Sequence, residues 1–153
     1  HMSAISVALL KGKEVVAGVV YNPYLDETFS AIKGRGAFCN GKEISVSSQP
    51  LSNALVIFGS SPYDKKLFQK TIEILTEYFY KALDIRRSGS AALDLCSIAC
   101  GRAELYFELQ TSPWDFAAGK LIVEEAGGVV TTLDGTPLSF EGKSSILAKN
   151  NVI

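Results

Sequence analysis

The sequence has little that ties it to a membrane, to nucleic acid or to a disulfide scaffold. No run of about 18 apolar residues occurs, so no stretch reads as a membrane-spanning helix, and none reads as a signal peptide. Fifteen basic residues stand against sixteen acidic ones, for a net charge of −1. That balance leaves no basic stripe, and nucleic acid is not expected as a main partner. Cysteine is scarce: Cys39, Cys96 and Cys100 are the three. An odd number without paired spacing argues against a disulfide framework and fits a reducing, cytoplasmic setting. Cys96 and Cys100 lie four apart in an apolar helical stretch, with no histidine or further cysteine near them to complete a metal clip. They read as small core residues.

What remains is ordinary globular material. The chain has 153 residues, 47% hydrophobic and 20% charged, which fits one domain with a real core. His1-Met2 reads as a tag remnant and carries no fold information. Residues 3–48 read as an antiparallel sheet, with strands over Ile5–Leu10, Val15–Tyr21, Glu27–Lys33 and Glu43–Ser47. These runs are short, rich in β-branched and aromatic residues, and separated by turn residues such as Asn22-Pro23 and Asn40-Gly41. Gln49 to Ser52 is the natural joint. Residues 53–153 alternate strand and helix, which predicts a layered αβ sheet and an α/β (α+β) class overall. Ser61-Pro62 signals a helix start, followed by Phe68, Ile72, Leu75, Phe79 and Leu83 at helical spacing. Ser90 is expected to cap a second helix, and Asp115 to open a third that Gly127-Gly128 stops.

The chemistry concentrates in Trp114-Asp115-Phe116-Ala117-Ala118-Gly119, followed by Glu124-Glu125-Ala126-Gly127-Gly128. By itself Asp115 reads as an N-cap at the positive end of a helix. A carboxylate there also suits a hard cation such as magnesium, and the two roles are compatible because one oxygen can cap while the other binds.

This run resembles the carboxy-terminal signature of the inositol monophosphatase family, W-D-x-A-A-G followed by E-A-G-G. Gly34-Arg35-Gly36-Ala37-Phe38-Cys39-Asn40-Gly41 is similar to the family's G-x-G-A-F-x-N-G hairpin. The stretch from Arg87 to Ala92 is similar to its R-x-x-G-[ST]-A-A turn, with the arginine displaced by one so that Arg86 is the alternative match. Tyr106-Phe107-Glu108 is similar to its Y-x-E. The resemblance covers nearly the whole chain and implies a sugar-phosphatase-like layered fold. It implies that Asp115 binds catalytic magnesium and helps place the nucleophilic water. It implies that Glu108 hydrogen-bonds a substrate hydroxyl and that Gly89, Ser90 and Ala91 face the sugar or inositol ring. Without the resemblance, Glu108 reads equally as a solvated surface acid and Ser90 as a helix cap. Where relatives have a polar residue shortly before the tryptophan, this chain has Ser112-Pro113, so ring contacts there are expected to differ.

The family's D-P-[IL]-D-G-T metal motif and its upstream helix glutamate do not occur. Asp134-Gly135-Thr136 lacks the preceding D-P-x and reads as a turn. The chain therefore resembles the carboxy-terminal portion of a magnesium-dependent phosphomonoesterase acting on inositol monophosphate or a similar small phosphorylated polyol. The complete enzyme is expected to hold two or three magnesium ions, and this chain alone to bind magnesium weakly or not at all and to be inactive. Exposed sheet edges point to a homo-oligomer. The alternative is a non-catalytic binding or assembly domain with the same fold, which gains if the natural chain begins near Ser3.

Overall fold

A computed structural model describes residues 2–153; of the expected tag remnant, His1 lies outside the described residues. Apolar residues alternating with small or polar ones give an antiparallel meander of β1 (Ile5–Lys11), β2 (Glu14–Asn22), β3 (Glu27–Ile32), β4 (Ala37–Cys39) and β5 (Lys42–Ile44), paired in chain order. Asn40 and Gly41 have φ of 49° and 75°, the left-handed pair that a two-residue hairpin turn requires.

The second sheet has the order β7-β6-β8-β10-β9. It comprises β6 (Leu55–Phe58), β7 (Asp84–Arg86), β8 (Leu105–Thr111), β9 (Val129–Thr131) and β10 (Ser144–Lys149). β6 runs parallel to β7 and β8, and β10 antiparallel to β8 and β9. Its centre is covered on both faces. Ile57, Tyr106 and Ile146 face one cluster, whereas Val56, Leu105 and Phe107 face another with Ile74, Leu75 and Tyr78 of α1 (Phe68–Lys81). This alternation is the two-residue period of a strand.

Helices α2 (Ala91–Ala99) and α3 (Pro113–Glu125) fill the space between the two sheets. One continuous core joins Val20 and Phe29 of the meander, Leu95 and Ile98 of α2, Phe116 and Ile122 of α3, and Tyr106 of β8. The meander and the alternating part thus share a core across the expected joint. Close packing uses small residues: a Cβ placed on Gly18 of β2 would sit 2.9 Å from the Ala118 carbonyl oxygen of α3, and one on Gly119 would sit 2.7 Å from Leu95. α3 ends as expected, with Gly127 at φ 88° and the Gly128 N–H donating to the Val123 carbonyl at 2.9 Å.

Three local expectations are corrected. α1 does not open at Ser61-Pro62; it begins at Phe68, after a short 3-10 turn over Lys65–Leu67 capped by Asp64. Ser61 is held elsewhere, at φ 43° with its N–H on Glu108. The strand expected over Glu43–Ser47 ends at Ile44, because the Val46 N–H leaves the ladder for the Ala126 carbonyl at 3.0 Å. Asp115 is not the first cap of α3: Ser112 is the N-cap, Pro113 takes the first helical position and Asp115 is the third. The Asp134-Gly135-Thr136 stretch is a turn, with the Gly135 N–H on the Thr132 carbonyl at 3.0 Å.

Candidate active site

Three connections meet at one place: the one that follows β6, the one that precedes α2, and Ser112 between β8 and α3. β8 carries Tyr106 and Glu108 on one face, two residues apart. The fully buried Tyr106 hydroxyl donates to Glu108 Oε2 at 2.8 Å. The other oxygen, Oε1, accepts from the Ser61 N–H at 2.8 Å and the Ser61 hydroxyl at 3.3 Å. Glu108 lies directly over Gly59, where a Cβ would fall 2.0 Å from Oε2. The glycine is required by that approach, not by its own backbone angles.

The turn before α2 is built from its own side chains. Gly89 has φ 103°, a region L-residues rarely enter. The Ser88 hydroxyl donates to Asp94 Oδ1 and accepts the Ser90 N–H at 3.3 Å, while the Asp94 N–H reaches the Ser90 carbonyl at 2.9 Å. Ser90 occupies the N-cap position, but its side chain makes no capping hydrogen bond.

α3 contributes Asp115. Its Oδ2 accepts the Ser112 N–H at 3.1 Å, the return bond of a capping box. Oδ1 has no hydrogen-bond partner among the described residues. Asp115 is half-buried, and the neighbouring Trp114 is 74% exposed at the rim.

Gly89, Ser90, Ala91, Glu108 and Asp115 all line one cavity of about 490 Å³. The sequence pattern did not mark Asp94, Ser60 or Ser61 as site residues, though Asp94 and Ser60 line the same cavity and Ser61 holds Glu108. The signal for Asp94 was present: it is the one acid in the otherwise uncharged helix Ala91–Ala99. Of the two candidate arginines, Arg87 lines the cavity, with its Nε donating to the Ser60 hydroxyl at 3.1 Å. Arg86 turns away to Asp84 and the Ile85 carbonyl.

The electrostatics follow from this crowding. Burial pushes the Asp94 carboxyl up to about 7, with Ser88 opposing the shift and Glu108 adding to it. Burial, then the charges of Glu108 and Asp94, holds the Tyr106 phenol well above its usual value, so it stays a donor. A full magnesium shell is another matter. Magnesium prefers six oxygens at about 2.1 Å. Among the described residues no group of three or more histidine, cysteine or acidic side chains is placed to hold a metal. The described residues do not by themselves make a magnesium site.

A model of the inositol monophosphatase family matches residues 1–153. Inositol monophosphatase 2 of Solanum lycopersicum is 47% identical over 142 residues, which make up 91% of this chain and 54% of that protein. Inositol monophosphatase from Anabaena superposes with a TM-score of 0.91 at 40% identity, covering 98% of this chain and 60% of that one. An inositol monophosphate-bound structure of SaIMPase-II, from Staphylococcus aureus, gives a TM-score of 0.87 at 31% identity, covering 97% and 58%. This chain spans about half the length of the curated relatives it matches.

Proposed function

The chain belongs to the inositol monophosphatase family, and we propose that it forms the substrate-facing part of a magnesium-dependent phosphomonoesterase acting on inositol monophosphate or a similar small phosphorylated polyol. The observation that carries this reading is the convergence of the Gly89–Ala91 turn, Glu108 and Asp115 on one cavity. Three different elements supply them: the turn before α2, strand β8 and the first turn of α3. The bound ligand of the Staphylococcus aureus relative is of the same chemical class.

In this reading the ring of the polyol rests against Gly89, Ser90 and Ala91, and Glu108 accepts a hydrogen bond from a ring hydroxyl. Tyr106 and Ser61 fix Glu108 in place, so its orientation is set before substrate arrives. Asp115 would hold magnesium through Oδ1, its Oδ2 being engaged by the Ser112 amide. Magnesium, when bound, lowers the pKa of a water and neutralises phosphate charge. The further ligands are assigned to the part of the relatives that this chain does not span. One carboxylate oxygen binds magnesium weakly, so the chain alone is inactive. The three free cysteines support a reducing, cytoplasmic setting.

Hydrolysis of inositol 1-phosphate by the protein at the relatives' full length tests this. With magnesium, turnover is expected, and Asp115→Asn is expected to lower it at least about 100-fold. Turnover that survives Asp115→Asn contradicts the reading. A second reading, a non-catalytic module, is favoured by one observation: among the described residues no group of three or more histidine, cysteine or acidic side chains is placed to hold a metal. Absence of activity in the full-length protein, together with retained ligand binding, would select it.

A further inference from the structure

We propose that Asp94 is a specificity-determining residue, a second carboxyl group that hydrogen-bonds a hydroxyl of the bound polyol beside Glu108. The proposal rests on the phosphomonoesterase reading and deepens it. Asp94 is 2% exposed and sits in a helix with no other charged residue. A carboxylate in such a place is costly unless donors or a cation compensate it. No salt bridge reaches it among the described residues. Among the described residues its side chain has one hydrogen bond, from the Ser88 hydroxyl to Oδ1, and Oδ2 has none, yet the residue lines the cavity beside the Gly89 turn.

Glu108 presents a contrast. A carboxylate has about four acceptor positions. Glu108 already accepts from the Tyr106 hydroxyl and the Ser61 N–H, and competes with the Gln110 carbonyl for the Ser61 hydroxyl proton. Asp94 spends one. The larger unused accepting capacity at this end of the cavity therefore belongs to Asp94. Holding Ser88 alone does not call for a carboxyl group, since an asparagine amide oxygen accepts the same hydroxyl without the desolvation of a charge. The open oxygen calls for a donor from the ligand. A neutral hydroxyl fits it, whereas a phosphate oxygen is repelled by nearby Glu108 and, once Asp94 ionises above about pH 7, by Asp94 itself. This orients the substrate, with polyol hydroxyls toward Asp94 and phosphate away from it.

The test uses the full-length protein with magnesium, two variants and two substrates, inositol 1-phosphate and p-nitrophenyl phosphate, whose leaving group carries no ring hydroxyls. Asp94→Asn keeps an acceptor for Ser88 but replaces the open oxygen with an amide group. It is expected to lower kcat/KM for inositol 1-phosphate about fivefold, and Asp94→Ala at least about tenfold, mainly through KM. Both are expected to leave p-nitrophenyl phosphate within about twofold. A purely structural role predicts rescue by Asn and an equal loss on both substrates in Ala, and either result overturns the proposal. Unchanged inositol 1-phosphate kinetics in both variants overturns it too. If the Ala protein does not fold, the Asn variant decides alone. Wild-type protein inactive on both esters would instead remove the phosphatase reading, and this proposal with it, before any variant is made.

Discussion

At the residue scale, Gly59 and Asp94 are the positions most tightly constrained by the site. A methyl at Gly59 meets Glu108 at 2.0 Å, and the glutamate is the group able to move. Gly59→Ala should swing Glu108 off Tyr106 and Ser61. The expected cost is about 1–3 kcal/mol in urea denaturation, with a raised KM for polyol substrates in the full-length protein. Wild-type stability and KM would contradict the placement of Glu108. Asp94 makes stability depend on pH. Its folded value of about 7 lies above the unfolded 3.8, so between these values unfolding releases a proton. Its contribution therefore falls as pH rises from about 4 to 7 and is level above that. Asp94→Asn lacks this term, so its stability relative to wild type should rise across that window by up to about 4 kcal/mol. Denaturation midpoints of the two proteins at pH 5 and pH 8 check the sign, and a constant difference contradicts it.

At the element scale, α3 is anchored at both ends. Ser112 and Asp115 close its amino-terminal end. At the other end the Glu125 carboxylate accepts the backbone N–H groups of Gly34, Arg35 and Gly36 at 2.8, 3.1 and 2.9 Å. This clamp ties the helix that carries Asp115 to the β3–β4 turn. Glu125→Ala should cost about 2 kcal/mol and lower Tm by several degrees; an unchanged Tm would show the clamp to be idle. The elements themselves were largely legible in the sequence. Strand alternation, the Asn40-Gly41 turn and the Gly127 stop each have a local cause. What was not legible was set by distant partners. Ser61 and Pro62 carry a helix-start signal, yet Ser61 is captured by Glu108, 47 residues away. Val46 has strand character, yet its N–H goes to Ala126. Within the site, Asp115, Glu108 and the Gly89 turn were marked by motif. The burial of Asp94 was not, because it depends on α2 lying between two sheets.

At the scale of the whole molecule, the second sheet is covered on both faces and the first on one. The inner face of the meander packs on α3, and its outer face presents Ile5, Val7 and Leu9 of edge strand β1 at 61%, 60% and 63% exposure, with Ile32 at 59%. Apolar side chains on an edge strand favour pairing with a second copy. The chain alone should therefore self-associate, with apparent mass rising with concentration in sedimentation. Val7→Lys with Leu9→Lys should return it toward monomer while changing unfolding free energy by about 0.5 kcal/mol or less. A wild-type chain that stays monomeric would contradict this. The layered arrangement also explains why the site lies where it does, since both inner helices begin on the side where β6 and β8 end.

Whether three separate elements build one substrate cavity is decided by a crystal structure of the full-length protein with magnesium and inositol 1-phosphate. The ring should lie against Gly89–Ala91 within hydrogen-bonding reach of Glu108, with Asp115 Oδ1 about 2.1 Å from a metal ion. Ligand density elsewhere on the molecule, with this cavity holding only water, would contradict the account.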